Sequence, residues 1–488
     1  MNPSFRYDLK PTVQKGEYGV KTFKGFDALN PERRLTLQWC AYGYNIRVGD
    51  GRVTGNVGIR EAKVNDSTLP NALSVGSRMV RAAVFKKGDE MILVALMQNK
   101  KLYYAHFTDA AFTDSGITFS NHNVTFLQYY YDNKDCMLII GSDGQMFVFD
   151  GLTFEEVADA PHLTTACVFN ERVYGTVTEG TNRLYFSDDL DPTNWHVSLT
   201  EGGYVDFTDE GGKVTGVIGF KGNLYVFREY AVHKLSAYVD QTDYVMTRVY
   251  FGRDKIYYKT AEVVDDKLIF LTEAGFLYTD GYSVRRIFEG VTPLIKDREN
   301  AISGSYGNTY VLSCSMAKDE YVVGDEAYVS GNNAVFIYDF LTGAETLFRG
   351  TNVLQFLPVL TDEGYKLFTL FNGVYRGFHV GEFDDSGKLF GSSLQKRWRS
   401  PYTDLSLNNK DKIVRRCFVT VTSPVTFSVK TDKRSDFHLG GSNYSQVVRV
   451  NQKGHKIGLE LVSENTFTLI DVTLETDVIG RSTDAIAR

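Results

Sequence analysis

The chain repeats one short phrase: a tight turn, then an apolar strand rich in aromatics. It reads NKKLYYA at 99–105, DGQMFVF at 143–149, NERVYGT at 170–176 and KGNLYVF at 221–227. It returns as DDKLIFL at 265–271, YGNTYVL at 306–312 and EGYKLFTL at 363–370. Gly, Asn and Asp accept the positive φ that tight hairpins need. Leu-Tyr-Val-Phe and Leu-Ile-Phe-Leu do not alternate apolar with polar, so these strands are covered on both faces. The blades of a propeller give that environment, because each small sheet lies between two neighbours. Grouping the strands in fours gives units starting near 80, 124, 164, 213, 261, 301 and 353. A spacing of roughly 40–50 residues is a blade period. The phrase does not keep to one strand of its unit, which leaves six or seven blades.

The two ends read differently. Residues 1–30, the first part of a segment that runs to 75, are polar, with scattered aromatics at Phe5, Tyr7, Tyr18, Phe23 and Phe26. They predict an extended arm with docking strands. Asn30-Pro31-Glu32 predicts a short helix start. A strand follows over Trp39 to Val48, then a turn at Gly49-Asp50-Gly51, and 55–76 reads as a connector. Beyond residue 393 the pattern becomes strict alternation, at 415–432, 445–452, 456–463 and 466–480. Alternation buries one face and wets the other, as in a two-sheet sandwich. The expected fold is all-β: an arm at 1–75, a β-propeller at 76–392 and a β-sandwich-like domain at 393–488.

Charge follows the same division. Net charge is −7, which argues against a basic nucleic-acid binder. Residues 1–60 hold ten Lys and Arg against five acids, and 396–488 hold fifteen against ten, so each flank is about +5. The middle is then about −17. One reading is a solvated acidic surface between chance basic flanks. The other is that the flanks dock on acidic surface in the same or a neighbouring subunit.

Catalytic signals are sparse. Five scattered cysteines (Cys40, Cys136, Cys167, Cys314, Cys417) show no CxxC and read as reduced, buried, small apolar residues. The eight histidines do not cluster, and GxSxG, HExxH and a phosphate loop are absent. Asp188, Asp189 and Asp191 lack the Gly and distal Glu of a calcium loop, so a turn cap is preferred. Tyr129-Tyr130-Tyr131 has no interleaved basic residue, so a buried blade strand is preferred over a stacking platform. No catalytic, cofactor or metal residue is assigned, and no cofactor is expected. There is no signal-peptide core and no run of about 18 apolar residues, so folding in a cytoplasm without a spanning segment is expected.

One stretch carries a specific resemblance. It runs from RLYFSDDLDPTNW, through VTGVIGFKGNLYVFREYAVHKLSA, to RVYFGRDKIYYKTAEVVDDKLIFLTEAGFLYTDGYSVRRI. The matching residues are Ser187, Asp191, Pro192 and Trp195; Gly222, Leu224, Tyr225 and Phe227; Gly252; and Gly275, Phe276 and Tyr278. Gly25, Ala41, Asn45 and Gly51, with 399–407 and 451–461, fit more loosely. Together they resemble the propeller-bearing tail nozzle (tail tubular protein B) and packaged-DNA stabilisation proteins of short-tailed bacteriophages. The resemblance implies a virion structural protein assembled in the host cytoplasm. Copies would form a ring, sixfold in expectation, bound to other tail or portal and adaptor proteins. Double-stranded DNA would pass through without specific binding and be retained until ejection. The rival expectation is a carbohydrate-binding or glycan-cleaving propeller at the tail tip. That protein would carry paired carboxylates or an arginine cluster near the propeller axis.

Overall fold

The computed structural model describes residues 13–64, 67–68, 76–109, 111–177, 182–236, 241–316, 331–361, 364–375, 378–407, 410–433, 438–439 and 446–479. The first twelve residues of the expected arm, and the last nine of the chain, lie outside them. Seven four-stranded antiparallel units form a β-propeller. Five are separate sheets over 79–118, 124–156, 163–206, 214–251 and 256–287. The sixth unit occupies 295–349. The seventh takes Val353–Thr361, Gly364–Tyr375 and Phe378–Asp384, and its fourth strand is Gly58–Glu61 from the other end of the chain. The blade count is thus seven. The repeated phrase falls on the third strand in blades one and two and on the second strand thereafter.

The local grammar explains the hairpins. Lys221 and Gly222 sit at φ 48° and 68°, Asp132 and Asn133 at 50° and 59°, and Asn170 and Glu171 at 44° and 64°. Two successive positive φ values make the turn whose twist suits flanking strands. Between neighbouring blades lie apolar layers. Phe85, Ile92 and Val94 of blade one meet Met137, Ile139 and Phe149 of blade two. Leu93 and Ala95 meet Leu357, Phe368 and Leu370 of blade seven, which closes the ring. Gln355 seals that seam: its Oε1 accepts the Ala82 amide N–H (3.0 Å) and its Nε2 donates to the Ala82 carbonyl (2.9 Å).

The flanks are woven in. The sheet of blade six continues through Ile46–Gly49, Arg52–Thr54, Thr468–Ile479 and Asp411–Val421 to Gln446–Gly454, and Val13–Val20 adds to Thr468–Ile479. The facing sheet orders Tyr42–Tyr44, Lys396–Arg399, Ile457–Ser463, Thr426–Thr431 and His438–Leu439. Trp398 is fully buried between them, edge-on to Phe23 at 5.3 Å. One apolar cluster runs from Ile269 and Phe276 of blade five, through Phe23 and Phe26, to Trp398, Leu461 and Leu474. The Lys396 ammonium donates to the carbonyls of Gly387, Leu394 and Glu464 at 2.8–2.9 Å, and burial pushes its pKa down to about 8.

The expectation for 1–75 needs correction on two points. Within the described residues this segment is not a unit of its own, since its strands complete blade seven and both sandwich sheets. The supposed connector at 55–76 contains the blade-closing strand. The expected helix start is one 3₁₀ turn, Glu32–Arg34. Among the described residues, no helix is long and apolar enough to cross a membrane.

Candidate functional site

The beginnings of the inner strands gather at one end of the propeller axis. They enclose a cavity of about 530 Å³, lined from six blades. β-Bulges help to shape it. The inner strands of blades one, three and four slip register between Met79 and Arg81, Leu163 and Thr165, and Val214 and Gly216. A bulge near the start of a strand re-aims its side chains. Here Arg81, Thr164, Thr165 and Thr215 line the mouth.

The charges there are mixed. Lys255 Nζ bridges Glu299 at 2.8 Å, and a Glu229 carboxylate oxygen accepts the Lys213 amide N–H at 3.1 Å. His122 Nε2 lies 3.0 Å from the Gln98 carbonyl. Among the described residues, the Arg81 and Lys259 side chains have neither hydrogen bond nor ion pair. Burial holds the Arg81 pKa below its ordinary value; burial and then the Arg81 charge do the same for Lys259. Among the described residues, the mouth contains one arginine, not a cluster. Its two carboxylates are already engaged by Lys255 and by a backbone amide.

The sequence did not single out this set. Its members lie in successive repeat units near the start of the first strand, except Glu229, which sits in the turn after the second strand of blade four. Aligning the units on that strand would have brought Arg81, Asn123, Thr164, Thr215 and Lys255 within two residues of its first position.

The residues that the sequence did single out serve the fold. Ser187 Oγ accepts the Val173 amide (3.0 Å). Asp191 caps its own turn by accepting the Thr193 amide (2.9 Å) and hydroxyl (2.6 Å), and Asp188 accepts the Asn194 side-chain amide (3.1 Å). Trp195 packs beside the core between blades two and three. Among the described residues, no group of three His, Cys, Asp or Glu side chains could hold a metal. The five cysteines are free and four are buried. The tyrosine run divides: Tyr129 is buried and donates to the Glu171 carbonyl (2.5 Å), whereas Tyr130 is 62% exposed.

No family model matches this chain, and no curated protein matches it. Among solved structures, BBS1N in complex with ARL6DN is similar over 67% of this chain and 95% of that one, at 10% identity and a TM-score of 0.41. YCF48 from Cyanidioschyzon merolae is similar over 62% and 89%, at 12% identity and a TM-score of 0.35. Likenesses this distant carry no argument about function. The propeller assignment stands on its own sheets.

The opposite face has a second distinct chemistry. Among the described residues, the first-to-second strand turns, and the third-to-fourth strand turns of blades one to six, open there. In blades two, five and six the latter turn repeats one device. Asp150 Oδ1 accepts the amides of Leu152 and Thr153 (both 2.8 Å), and Asp280 Oδ1 those of Tyr282 and Ser283 (both 2.9 Å). Asp339 accepts the Leu341 amide and the Thr342 hydroxyl (both 2.8 Å). Amide donation from Ser283 and then Tyr282 holds the Asp280 carboxyl below the ordinary range. Each aspartate fixes its turn by a local side-chain bond. Each turn holds an apolar side chain out in water: Leu152 at 69%, Tyr282 at 94% and Leu341 at 79% exposure. Leu190, Leu199, Val245 and Tyr365 are exposed on the same face. Around them stand Asp132, Asp135, Glu171, Asp265 and Asp266, against Lys134, Lys221 and Lys267.

Proposed function

We propose that this chain is a structural protein of a bacteriophage tail, not an enzyme. Copies form a ring around the DNA exit channel, extend the tail and help retain the packaged genome. The resemblance over 183–290 motivates the reading. The observation that carries it is the turn face, where rigidly capped apolar tips stand in an acidic surround. Apolar side chains gathered on one face favour a protein partner. The complementary surface is the far end of the sandwich. There Lys433, Lys453 and His455 surround Asp411 at 2.6–3.0 Å, beside the open edge strand Gln446–Gly454 with Val447 exposed. Pairing turn face to sandwich end is head-to-tail, and such contacts give rings when the rotation closes. An acidic body also suits a conduit, because neutralised phosphates are what make a protein hold DNA.

The alternative, a glycan-binding or glycan-cleaving propeller at the tail tip, is favoured only by the axial cavity. Co-sedimentation with tail-less particles separates the readings. The intact protein should incorporate, less so as salt rises. A Leu152→Ser, Tyr282→Ser, Leu341→Ser triple variant should fold but not incorporate. Normal incorporation of that variant would remove the turn face from assembly. Glycan turnover abolished by one carboxylate substitution would overturn the structural reading.

A further inference from the structure

We infer that the axial mouth is a binding site for a small oxyanion, a carboxylate or phosphate carried on a molecule of about monosaccharide size, held between Arg81 and Lys259. Three observations lead there. The first is shape. The cavity of about 530 Å³ falls in the range that encloses small molecules, and its walls come from six blades. The second is charge. Arg81 comes from blade one and Lys259 from blade five, and the two are close enough to repel each other. Lys255 has its carboxylate in Glu299, and Glu229 is engaged by a backbone amide. Among the described residues, neither Arg81 nor Lys259 makes a side-chain hydrogen bond or ion pair, and the one opposing charge felt by Lys259 is that of Glu299, which Lys255 already holds. Lys259 is exposed and Arg81 half-buried, so solvent screens part of their repulsion, and an anion placed between them would relieve what remains. The third is a hydroxyl. The Thr215 Oγ1 is buried without a hydrogen-bond partner, whereas Thr164 and Thr165 are bonded to Thr176. It sits on a bulge that faces the same space. A planar guanidinium and an ammonium match the several acceptor oxygens of a carboxylate or phosphate, and Thr215 adds a third donor once rotation about χ1 turns its buried hydroxyl into the cavity. A neutral sugar would leave both cations unpaired.

This site is independent of the assembly surfaces proposed above, which lie on the opposite face and on the sandwich. It therefore stands or falls alone. The probes are glucuronate, glucose 6-phosphate and glucose, titrated calorimetrically into the intact protein in a chloride buffer. Binding of either charged sugar without glucose is the expected result, and the stronger of the two identifies the anion. Arg81→Gln and Lys259→Gln should each weaken that binding by about tenfold or more, as loss of a charge-assisted hydrogen bond does. Lys134→Gln, on the other face, should leave it unchanged. The two cavity variants should also melt no lower than the parent in chloride buffer, because each removes a repulsion. They should lose the rise in melting temperature that the charged sugar gives the parent. Absence of binding by both charged sugars up to about 10 mM would overturn the inference. So would undiminished binding in the Arg81→Gln, Lys259→Gln double variant.

Discussion

Each of blades one to five draws its four strands from one unbroken run of chain, whereas blade seven borrows its outer strand from Gly58–Glu61. Blade six goes further. Its sheet is extended by strands from both ends of the chain until it becomes half of the sandwich. The difference is one of loop closure. A two-residue turn brings neighbouring strands together at small entropic cost, so each early blade is a local unit. Joining residues near 59 to residues near 383 closes a loop of most of the propeller, and its cost must be offset by burial. That offset is visible in Trp398, Phe23 and Ile59, which lie in apolar clusters built from distant segments. The weave also makes the propeller and sandwich one body, since a continuous sheet leaves no hinge between them.

The largest expected effect tests this coupling. Trp398→Ala empties the centre of the woven region and should cost about 3–5 kcal/mol. With Trp39 replaced by Phe as well, Trp195 remains as the one tryptophan reporter, between blades two and three. Urea unfolding followed by Trp195 emission and by far-ultraviolet circular dichroism should give coincident transitions. A Trp195 signal that persists after the sandwich has melted would show that the local blades stand alone.

A smaller effect belongs to a local blade. Gly275 sits at φ 137°, and a Cβ there would meet the Thr292 side chain at 3.2 Å. Gly275→Val should cost about 1–3 kcal/mol from backbone strain. An unchanged melting curve would mean that this hairpin does not constrain its blade.

The smallest is a slope with pH. Glu262, on the seam between blades five and six, accepts hydrogen bonds from Ser305 and Ser303 at 3.1 and 3.4 Å. Burial pushes its pKa up to about 7, and burial, with Asp27, does the same for Glu345. The native state therefore keeps protons that the unfolded chain releases near pH 4.5. Their contribution is fully present below that pH and is lost as pH rises through about 7. Glu262→Gln should flatten part of this decline in chemical denaturation run from pH 4.5 to 8. A slope that does not change would place the titration elsewhere.

Much of the fold was legible because hairpins are local. Lys221-Gly222 and Asp265-Asp266 announce their turns in the residues themselves. Doubly apolar strands such as Leu268 to Leu271 announce two covered faces. Strict alternation over Thr468–Ile479 likewise announced a half-wet sheet, and its burial follows that pattern. Expected unit starts at 80, 124 and 164 compare with strands beginning at Met79, Val124 and Leu163. Those at 213 and 353 likewise meet Val214 and Val353, but two drifted, since Ile256 and Ile295 open their strands several residues before 261 and 301. The inner strands there begin with polar residues such as Tyr257, Lys259, Asp297 and Glu299, which look like loop in one dimension.

The sequence by itself determined the class of fold, the period of the blades and the place where alternation replaces continuous apolarity. Those are set by side-chain period and turn chemistry within a few residues. Only the tertiary structure decided that the chain beginning at Val13 is stitched into both bodies, because nothing in Gly58–Glu61 names Phe378–Asp384 as its partner. It alone brought Arg81 to Lys259, since residues a full four units apart meet only once seven blades have closed around an axis.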